Sequence, residues 1–143
     1  MSFSTAFTVD RSPDEVFAAI NDVRSWWTGQ IDGGTDELGS EFTYRYGTVH
    51  RSTQRITELV PGKRVAWRVV DAELDFAADK TEWTGTEITF DIAGTDGGTE
   101  VRFTHLGLVP DYDCYQACST AWRHYVETSL RNRIATGGTS DDR

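Results

Sequence analysis

His105 is the side chain in this sequence best suited to chemistry, because an imidazole can take up or release a proton near neutral pH. It alternates with Val101 and Phe103 in a predicted strand, so all three side chains are expected on the concave face of a sheet. There His105 could donate to a ligand carbonyl or act as a general base. We favour the alternative, a buried histidine satisfied by a tyrosine or by the backbone. His50, at a predicted turn, and His124, on the outer part of a helix, are expected to be exposed.

Tyrosine and tryptophan side chains form the second set of candidates. Tyr44, Tyr46 and Tyr115 could present hydroxyls into a cavity with aromatic walls, which is the usual composition of a small-molecule site. Alternatively, their rings fill the core and their hydroxyls reach its rim. Among the five tryptophans, Trp67 and Trp122 could bracket a flat apolar ligand or serve as core residues.

Other kinds of site find little support in the sequence. Cys114, Cys118 and His105 are only three metal ligands and lack the short-spaced pairs of zinc modules, so no metal site is expected. Cys118 as a nucleophile would need an adjacent base, for which only His105 is available, and we do not expect that role. The sequence has no glycine-rich phosphate loop, no Ser-His-Asp order and no dinucleotide fingerprint. His105 therefore remains the one weak catalytic candidate, and no cofactor is expected.

The acidic composition limits the expected partners. The 143 residues include 14 basic and 23 acidic side chains, which give a formal net charge of −9. Nucleic acid and anionic lipid both require a basic surface, so neither is an expected partner. The sequence shows no charged-then-apolar leader and no membrane-spanning run, and its two cysteines are poorly spaced for a disulfide. We expect a cytoplasmic protein with one domain over residues 1–136 and a disordered C-terminal tail over 137–143.

The elements that must position these side chains begin with a short strand and a capped helix. Ser12 and Glu15 form a Ser-x-x-Glu capping box around Pro13, which suits the first helical position. Apolar residues then follow at helical spacing, and the segment closes on the pair Trp26-Trp27. We expect the tryptophan pair to cover a cavity or a core edge.

The central and C-terminal parts have different periodicities. Alternating apolar residues predict strands joined by short turns, an antiparallel meander, with a longer acidic connection over 71–80. From Asp111, apolar residues recur every three or four positions and predict an amphipathic helix of about six turns that ends near Gly137. Such a helix can cover the concave face of the sheet, which is an α+β architecture. The predicted strands cover 42–46, 51–60, 65–70, 83–92 and 101–105.

Several short motifs occur in a characteristic order along the chain. They are Ser-Pro-Asp-Glu-Val-Phe at 12–17, Trp26-Trp27, Ile-Thr-Glu-Leu-Val-Pro-Gly-Lys-Arg-Val at 56–65 with Trp67, Gly-Gly-Thr-Glu-Val at 97–101, Thr104-His105 and Trp122. Together they resemble the SRPBCC superfamily, whose helix-grip fold is shared by START domains and birch-pollen-allergen-like proteins. Within it the sequence is most similar to the branch related to the activator of the heat-shock-protein ATPase (Aha-type), over about residues 3–134.

The resemblance implies both a fold and a set of candidate functions. The implied fold is α+β: a curved antiparallel sheet wrapped around a long C-terminal helix, with two short helices after the first strand. The function we predict is binding of a small hydrophobic or aromatic molecule in a cavity between sheet and helix. The alternatives are a polyketide cyclase/dehydratase-like enzyme, with His105 as base and a tyrosine as acid, and a co-chaperone-like interaction domain; a homodimer is compatible with each. The predicted ligand-binding residues are Trp27, Tyr44, Tyr46, Trp67, Phe90, Phe103, His105, Tyr115, Cys118 and Trp122.

Overall fold

The computed structural model of the chain describes residues 2–27, 30–46, 50–74, 84–107 and 115–135, without the side chains of residues 2, 74 and 115–118. The predictions for Trp83, for Cys114 and for the tail over 137–143 lie outside the described residues. So does the predicted start of the C-terminal helix at Asp111, since that helix is described from Tyr115 onward.

Seven antiparallel strands form one curved sheet. They are Ser2–Val9 (β1), Gln30–Gly33 (β2), Glu41–Tyr46 (β3), His50–Val60 (β4), Arg64–Leu74 (β5), Glu87–Thr95 (β6) and Gly98–Leu106 (β7). Their order in the sheet is β1-β7-β6-β5-β4-β3-β2. Sheet and C-terminal helix together confirm the predicted α+β helix-grip fold. Strand β2 was not predicted, and the residues from Asp71 to Leu74, predicted to belong to the acidic connection, extend β5 instead.

The first strand leads into a capped helix, as predicted. Helix α1 spans Pro13–Asn21. The Glu15 backbone N–H donates to Ser12 Oγ at 3.2 Å, and the Ser12 N–H donates to Glu15 Oε1 at 3.1 Å. This reciprocal pair is the capping box, and it satisfies two N–H groups that the helix leaves unpaired. A 3₁₀ turn over Val23–Ser25 follows and supplies the second short helix.

A bulge in β4 explains why its apolar residues change parity. Ile56 and Glu58 oppose consecutive residues of β5, so Thr57 has no partner in that strand pair. An extra residue of this kind turns the side chains that follow it to the other face of the sheet. Ile56 and Leu59 therefore both contact the core, although simple alternation would place them on opposite faces.

The C-terminal helix combines two hydrogen-bonding patterns. Tyr115–Trp122 and Arg131–Ala135 are α-helical, whereas the intervening Arg123–Leu130 has the wider π turn. Side chains spaced four residues apart move gradually around an α-helix, which has 3.6 residues per turn. The wider π turns compensate for this rotation and keep such side chains on one face. The predicted amphipathic helix thus presents one apolar row to the core. The row consists of Trp122, Val126, Leu130 and Ile134, all buried.

Candidate functional site

An aromatic cluster occupies the inner face of the sheet beneath the C-terminal helix. Its rings come from β3, β5, β6 and β7, from the segment after α1 and from the helix, and every one of them is buried. Neighbouring ring centroids lie between 3.9 and 6.4 Å apart. The aromatic cluster comprises Trp26, Trp27, Phe42, Tyr44, Trp67, Phe90, Phe103 and Trp122.

Several rings of the aromatic cluster lie in nearly parallel planes. Trp27 stacks on Tyr44 with centroids 3.9 Å apart and an interplanar angle of 13°. Trp27 and Trp67 lie 6.2 Å apart at 4°. Trp122, from the C-terminal helix, lies 5.0 Å from Trp27 at 42°. Offset parallel faces are one of the two arrangements that aromatic rings prefer, and a planar ligand can use the same arrangement.

The Tyr44 hydroxyl is engaged inside this region. It shares a hydrogen bond with Tyr125 of the C-terminal helix, and that bond together with burial raises the pKa of Tyr44. Desolvation is the larger cause, because it penalises the phenolate. Tyr44 is therefore a neutral hydroxyl that connects β3 to the C-terminal helix.

His105 projects from β7 into the aromatic cluster, as its strand parity predicted, and is fully buried. The Trp122 indole N–H donates to His105 Nδ1 at 3.0 Å. Because Nδ1 accepts this bond, the neutral ring carries its proton on Nε2, which donates to Thr86 Oγ1 at 2.8 Å. His105 is thus a buried structural histidine, held by a tryptophan and a threonine rather than by the predicted tyrosine or backbone partner.

The environment of His105 keeps it neutral. Burial lowers the pKa of His105 to about 3, and the neighbouring His50 contributes in the same direction. With one ring nitrogen accepting and the other donating, the imidazole is committed to bonds within the protein. These bonds fix the position of Trp122 above the sheet.

The prediction that His50 is exposed at a turn is wrong. His50 is the first residue of β4 and is half-buried, with its ring centroid 5.0 Å from that of Tyr44. Burial lowers the pKa of His50 to about 4. His50 points inward because β4 begins there, two residues before the inward-facing Ser52.

A polar row on β4 borders the aromatic cluster and was not predicted from the sequence. Ser52 and Gln54 are fully buried. Gln54 Nε2 donates to Ser52 Oγ at 2.6 Å, and Ser52 Oγ shares a hydrogen bond with His50 Nε2 at 3.1 Å. The available signal was parity, since these three residues share the parity of Ile56, whose side chain is apolar.

Two buried polar atoms in this region have no hydrogen-bond partner in the described part of the chain. They are Gln54 Oε1, in the polar row, and Trp67 Nε1, in the aromatic cluster. Both side chains are fully buried. A third atom of this kind, Asn21 Oδ1, belongs to α1 and is not part of the sheet face.

The structure brings together most of the predicted ligand-binding residues and leaves out one. Tyr46, the last residue of β3, is 53% exposed although it shares the parity of Tyr44, because the aromatic cluster does not extend to the end of that strand. The side chains of Tyr115 and Cys118 lie outside the described residues. Whether any of these residues binds a ligand stays a prediction. The residues found in the buried region are Trp27, Tyr44, Trp67, Phe90, Phe103, His105 and Trp122.

A separate open cleft of about 570 Å³ lies at the start of α1. It is bounded by Pro13, by the turn that contains Gly62 and Lys63, and by Ile92. No residue of the aromatic cluster lines it.

None of the helices described is both long and apolar enough to cross a membrane. Over the same ranges, no three His, Cys, Asp or Glu side chains are placed to hold a metal ion.

Comparison with known proteins gives one family match and several similar structures. The model of the family described as Activator of Hsp90 ATPase homolog 1-like protein matches residues 10–135. The solved structure of the Aha1 dimer from Colwellia psychrerythraea is similar, with a TM-score of 0.77 and 26% identity, covering 97% of this chain and 99% of that one. No curated protein matches the chain.

Two further structures with lower identity share the fold. A protein from Mesorhizobium loti has a TM-score of 0.74 and 17% identity, with coverage of 92% of this chain and 95% of its own. CalU16 from Micromonospora echinospora has a TM-score of 0.69 and 16% identity, with coverage of 99% and 78%.

Proposed function

Since the chain belongs to the Activator of Hsp90 ATPase homolog 1-like family, we propose that this helix-grip domain binds a small hydrophobic or aromatic molecule between its curved sheet and its C-terminal helix. The observation that carries the proposal is the aromatic cluster on the inner face of the sheet, with near-parallel rings and the polar row of β4 beside it. Apolar walls with a few buried polar atoms are the usual composition of a small-molecule site.

The energetics of such a site favour a neutral, planar ligand. Burial of apolar surface contributes about 25 cal/mol per Å² before ordering costs, and each well-placed aromatic pair adds about 0.5–1.5 kcal/mol. The aromatic cluster and the polar row contain no Asp, Glu, Lys or Arg. A charged ligand would therefore lose its hydration without gaining an ionic partner from these side chains.

The arrangement of His105 does not favour the cyclase or dehydratase alternative. A general base needs a lone pair directed at substrate and a pKa near the working pH. His105 Nδ1 instead accepts from Trp122, Nε2 donates to Thr86, and the pKa is lowered to about 3. We therefore assign His105 a role in positioning Trp122 rather than in proton transfer.

Activation of the Hsp90 chaperone is the second candidate function. The family that matches carries the description Activator of Hsp90 ATPase homolog 1-like protein, and one similar structure is an Aha1 dimer. This function predicts that the purified chain raises the rate of ATP hydrolysis by Hsp90, and that the chain forms a homodimer by light scattering. An unchanged rate together with no detectable binding to Hsp90 would dismiss the chaperone function.

Ligand binding can be tested with a matched pair of variants on one strand. Fatty acids, flavonoids, polyketide-like aromatics and sterols are screened by thermal shift and tryptophan fluorescence, since a ligand at 100 times its Kd stabilises the folded state by about 2.7 kcal/mol. Tyr44→Leu removes a ring that stacks on Trp27, and Tyr46→Leu makes the same change at the exposed end of β3. We expect a bound compound to lose about two- to twelvefold in affinity in the first variant only, because one stacked pair worth about 0.5–1.5 kcal/mol is removed.

Two results would contradict the proposed function. The first is the absence of any stabilising compound across the screen. The second is a compound whose affinity responds equally to both substitutions, because that would place the compound away from the aromatic cluster.

A further inference from the structure

The unpartnered atoms of Gln54 and Trp67 are the feature of the site that its aromatic packing does not explain. Each side chain is fully buried, and neither Gln54 Oε1 nor Trp67 Nε1 finds a hydrogen-bond partner among the residues described. A buried polar group without a partner costs about 1–3 kcal/mol. Gln54 Oε1 is an acceptor and Trp67 Nε1–H is a donor, so a single group that both donates and accepts could bond to both.

The sheet register places these two side chains close together on the inner face. Gln54 opposes Val69 on β5, and Trp67 lies two residues before Val69 on that strand, so Gln54 and Trp67 are diagonal neighbours. Diagonal pairs on one face are about 7–8 Å apart, within reach of long side chains. On its other side Gln54 opposes Phe42, whose ring centroid is 5.0 Å from that of Trp67.

The polar row occupies only the nitrogen end of the Gln54 amide. Gln54 Nε2 donates to Ser52 Oγ, which also shares a hydrogen bond with His50 Nε2. Oε1 is therefore the end of this amide whose hydrogen-bonding capacity is unused within the described residues. The Trp67 indole is held on its other sides by rings, with Trp26 at 6.4 Å and Phe90 at 5.1 Å, so its N–H cannot turn to another acceptor without disturbing the stack.

We propose that the ligand of this site is a neutral aromatic molecule with a ring hydroxyl, bound so that the hydroxyl oxygen accepts from Trp67 Nε1–H and its proton is donated to Gln54 Oε1. The proposal rests on the proposed function and adds the chemical class of the ligand to it. A hydroxyl is the smallest group that both accepts and donates, so it satisfies both atoms at once. A carboxylate would face Gln54 Oε1 with two acceptors and no donor, which is unfavourable in a buried site.

The decisive comparison uses two probes of nearly equal shape, 2-naphthol and 2-methylnaphthalene. Replacing the hydroxyl by a methyl group makes the probe more apolar, so a purely hydrophobic site would bind 2-methylnaphthalene more tightly. A site that uses the hydroxyl reverses the order, because the methyl group leaves both buried atoms unpaired. We expect wild type to bind 2-naphthol at least about tenfold more tightly by isothermal titration calorimetry.

Two substitutions and an NMR signal test whether the preference for 2-naphthol arises at Gln54 and Trp67. Gln54→Met keeps the side-chain length and removes the acceptor, so the preference for 2-naphthol should disappear. Asn21→Leu is the matched control, since it also removes a buried amide with an unpartnered oxygen but lies on α1. It should leave the preference unchanged. In wild type, the indole N–H resonance of Trp67 should shift with 2-naphthol and much less with 2-methylnaphthalene, which tests the contact even if a variant fails to fold.

The outcomes separate the two proposals. If wild type binds both probes with 2-methylnaphthalene preferred, the hydroxyl site is refuted while the proposed function stands. The same conclusion follows if 2-naphthol is preferred equally in Gln54→Met, or if the Trp67 indole resonance does not move. If neither probe nor any compound of the wider screen binds, the proposed function fails and the hydroxyl site fails with it.

Discussion

Acidification should destabilise this protein through His105 and His50. His105 has its pKa lowered to about 3 in the folded protein, and His50 to about 4, both chiefly by burial. An unfolded chain has histidine pKa values near 6.5, so between pH 6.5 and the folded value the unfolded state binds more protons than the folded state. The free energy of unfolding therefore falls as the pH falls below 6.5, and it is nearly constant above pH 7.

The magnitude follows from the size of the shift. For a histidine that stays neutral in the folded state, each pH unit below 6.5 lowers the free energy of unfolding by about 1.4 kcal/mol. His105 alone should therefore lower the free energy of unfolding by about 2 kcal/mol at pH 5. His50 acts in the same direction. Since domains of this size are stabilised by only about 5–15 kcal/mol, the loss should be visible in urea unfolding at pH 8, 6 and 5.

The assay compares the pH dependence within each variant, because a constant loss of stability then cancels. His105→Gln removes the titrating group and should reduce the fall between pH 8 and pH 5 by about 2 kcal/mol. His124→Gln, at an exposed position of the C-terminal helix, should leave the fall unchanged. Equal stability of wild type at pH 8 and pH 5 would contradict the destabilising effect of histidine protonation. So would a His105→Gln variant that keeps the full pH dependence.

Three further predictions concern backbone contact, helix capping and the unpartnered amide. Gly98→Ala should lower the free energy of unfolding by more than about 2 kcal/mol, because a Cβ there would lie 2.0 Å from the Val9 carbonyl oxygen. Gly97→Ala, whose Cβ would have nothing within 4 Å, should change that free energy by less than about 0.5 kcal/mol. Equal effects of the two substitutions in thermal unfolding would contradict this prediction. Ser12→Ala breaks the capping box and should cost about 1 kcal/mol, and a change within error would show that the cap contributes nothing. Gln54→Met should raise the free energy of unfolding of the ligand-free protein by about 1 kcal/mol, measured by urea unfolding. The substitution removes a buried carbonyl without a partner, and that gain exceeds the loss of one hydrogen bond. A loss of stability would show that Gln54 Oε1 has a hydrogen-bond partner in solution.

Much of the fold could be predicted because its determinants are local. The capping box uses side chains three residues apart, and strand parity places Val101, Phe103 and His105 on one face whatever the sheet order is. β2 escaped prediction because its four residues contain one buried apolar side chain, Ile31, too few to show a period. The bulge at Thr57 also left no local signal, since it depends on the partner strand.

The candidate site was less predictable because it depends on which strands are neighbours. Sequence parity pointed Trp67 and His105 inward, and the structure agrees. It could not show that Trp122 donates to His105, a bond between residues 17 apart on different elements. The polar row was missed because a serine and a glutamine in a strand are usually solvent-facing, although Ser52 and Gln54 share the parity of the buried Ile56.

The position of the ligand site is tested most directly by mapping where a stabilising aromatic compound binds, with two-dimensional NMR of the ¹⁵N-labelled protein. We predict that the indole N–H signals of Trp27, Trp67 and Trp122 shift in a saturable way, while the backbone amides of Gly62 and Gly94 beside the open cleft do not. Shifts confined to the cleft, with the three indole signals unmoved, would contradict a binding site between the sheet and the C-terminal helix.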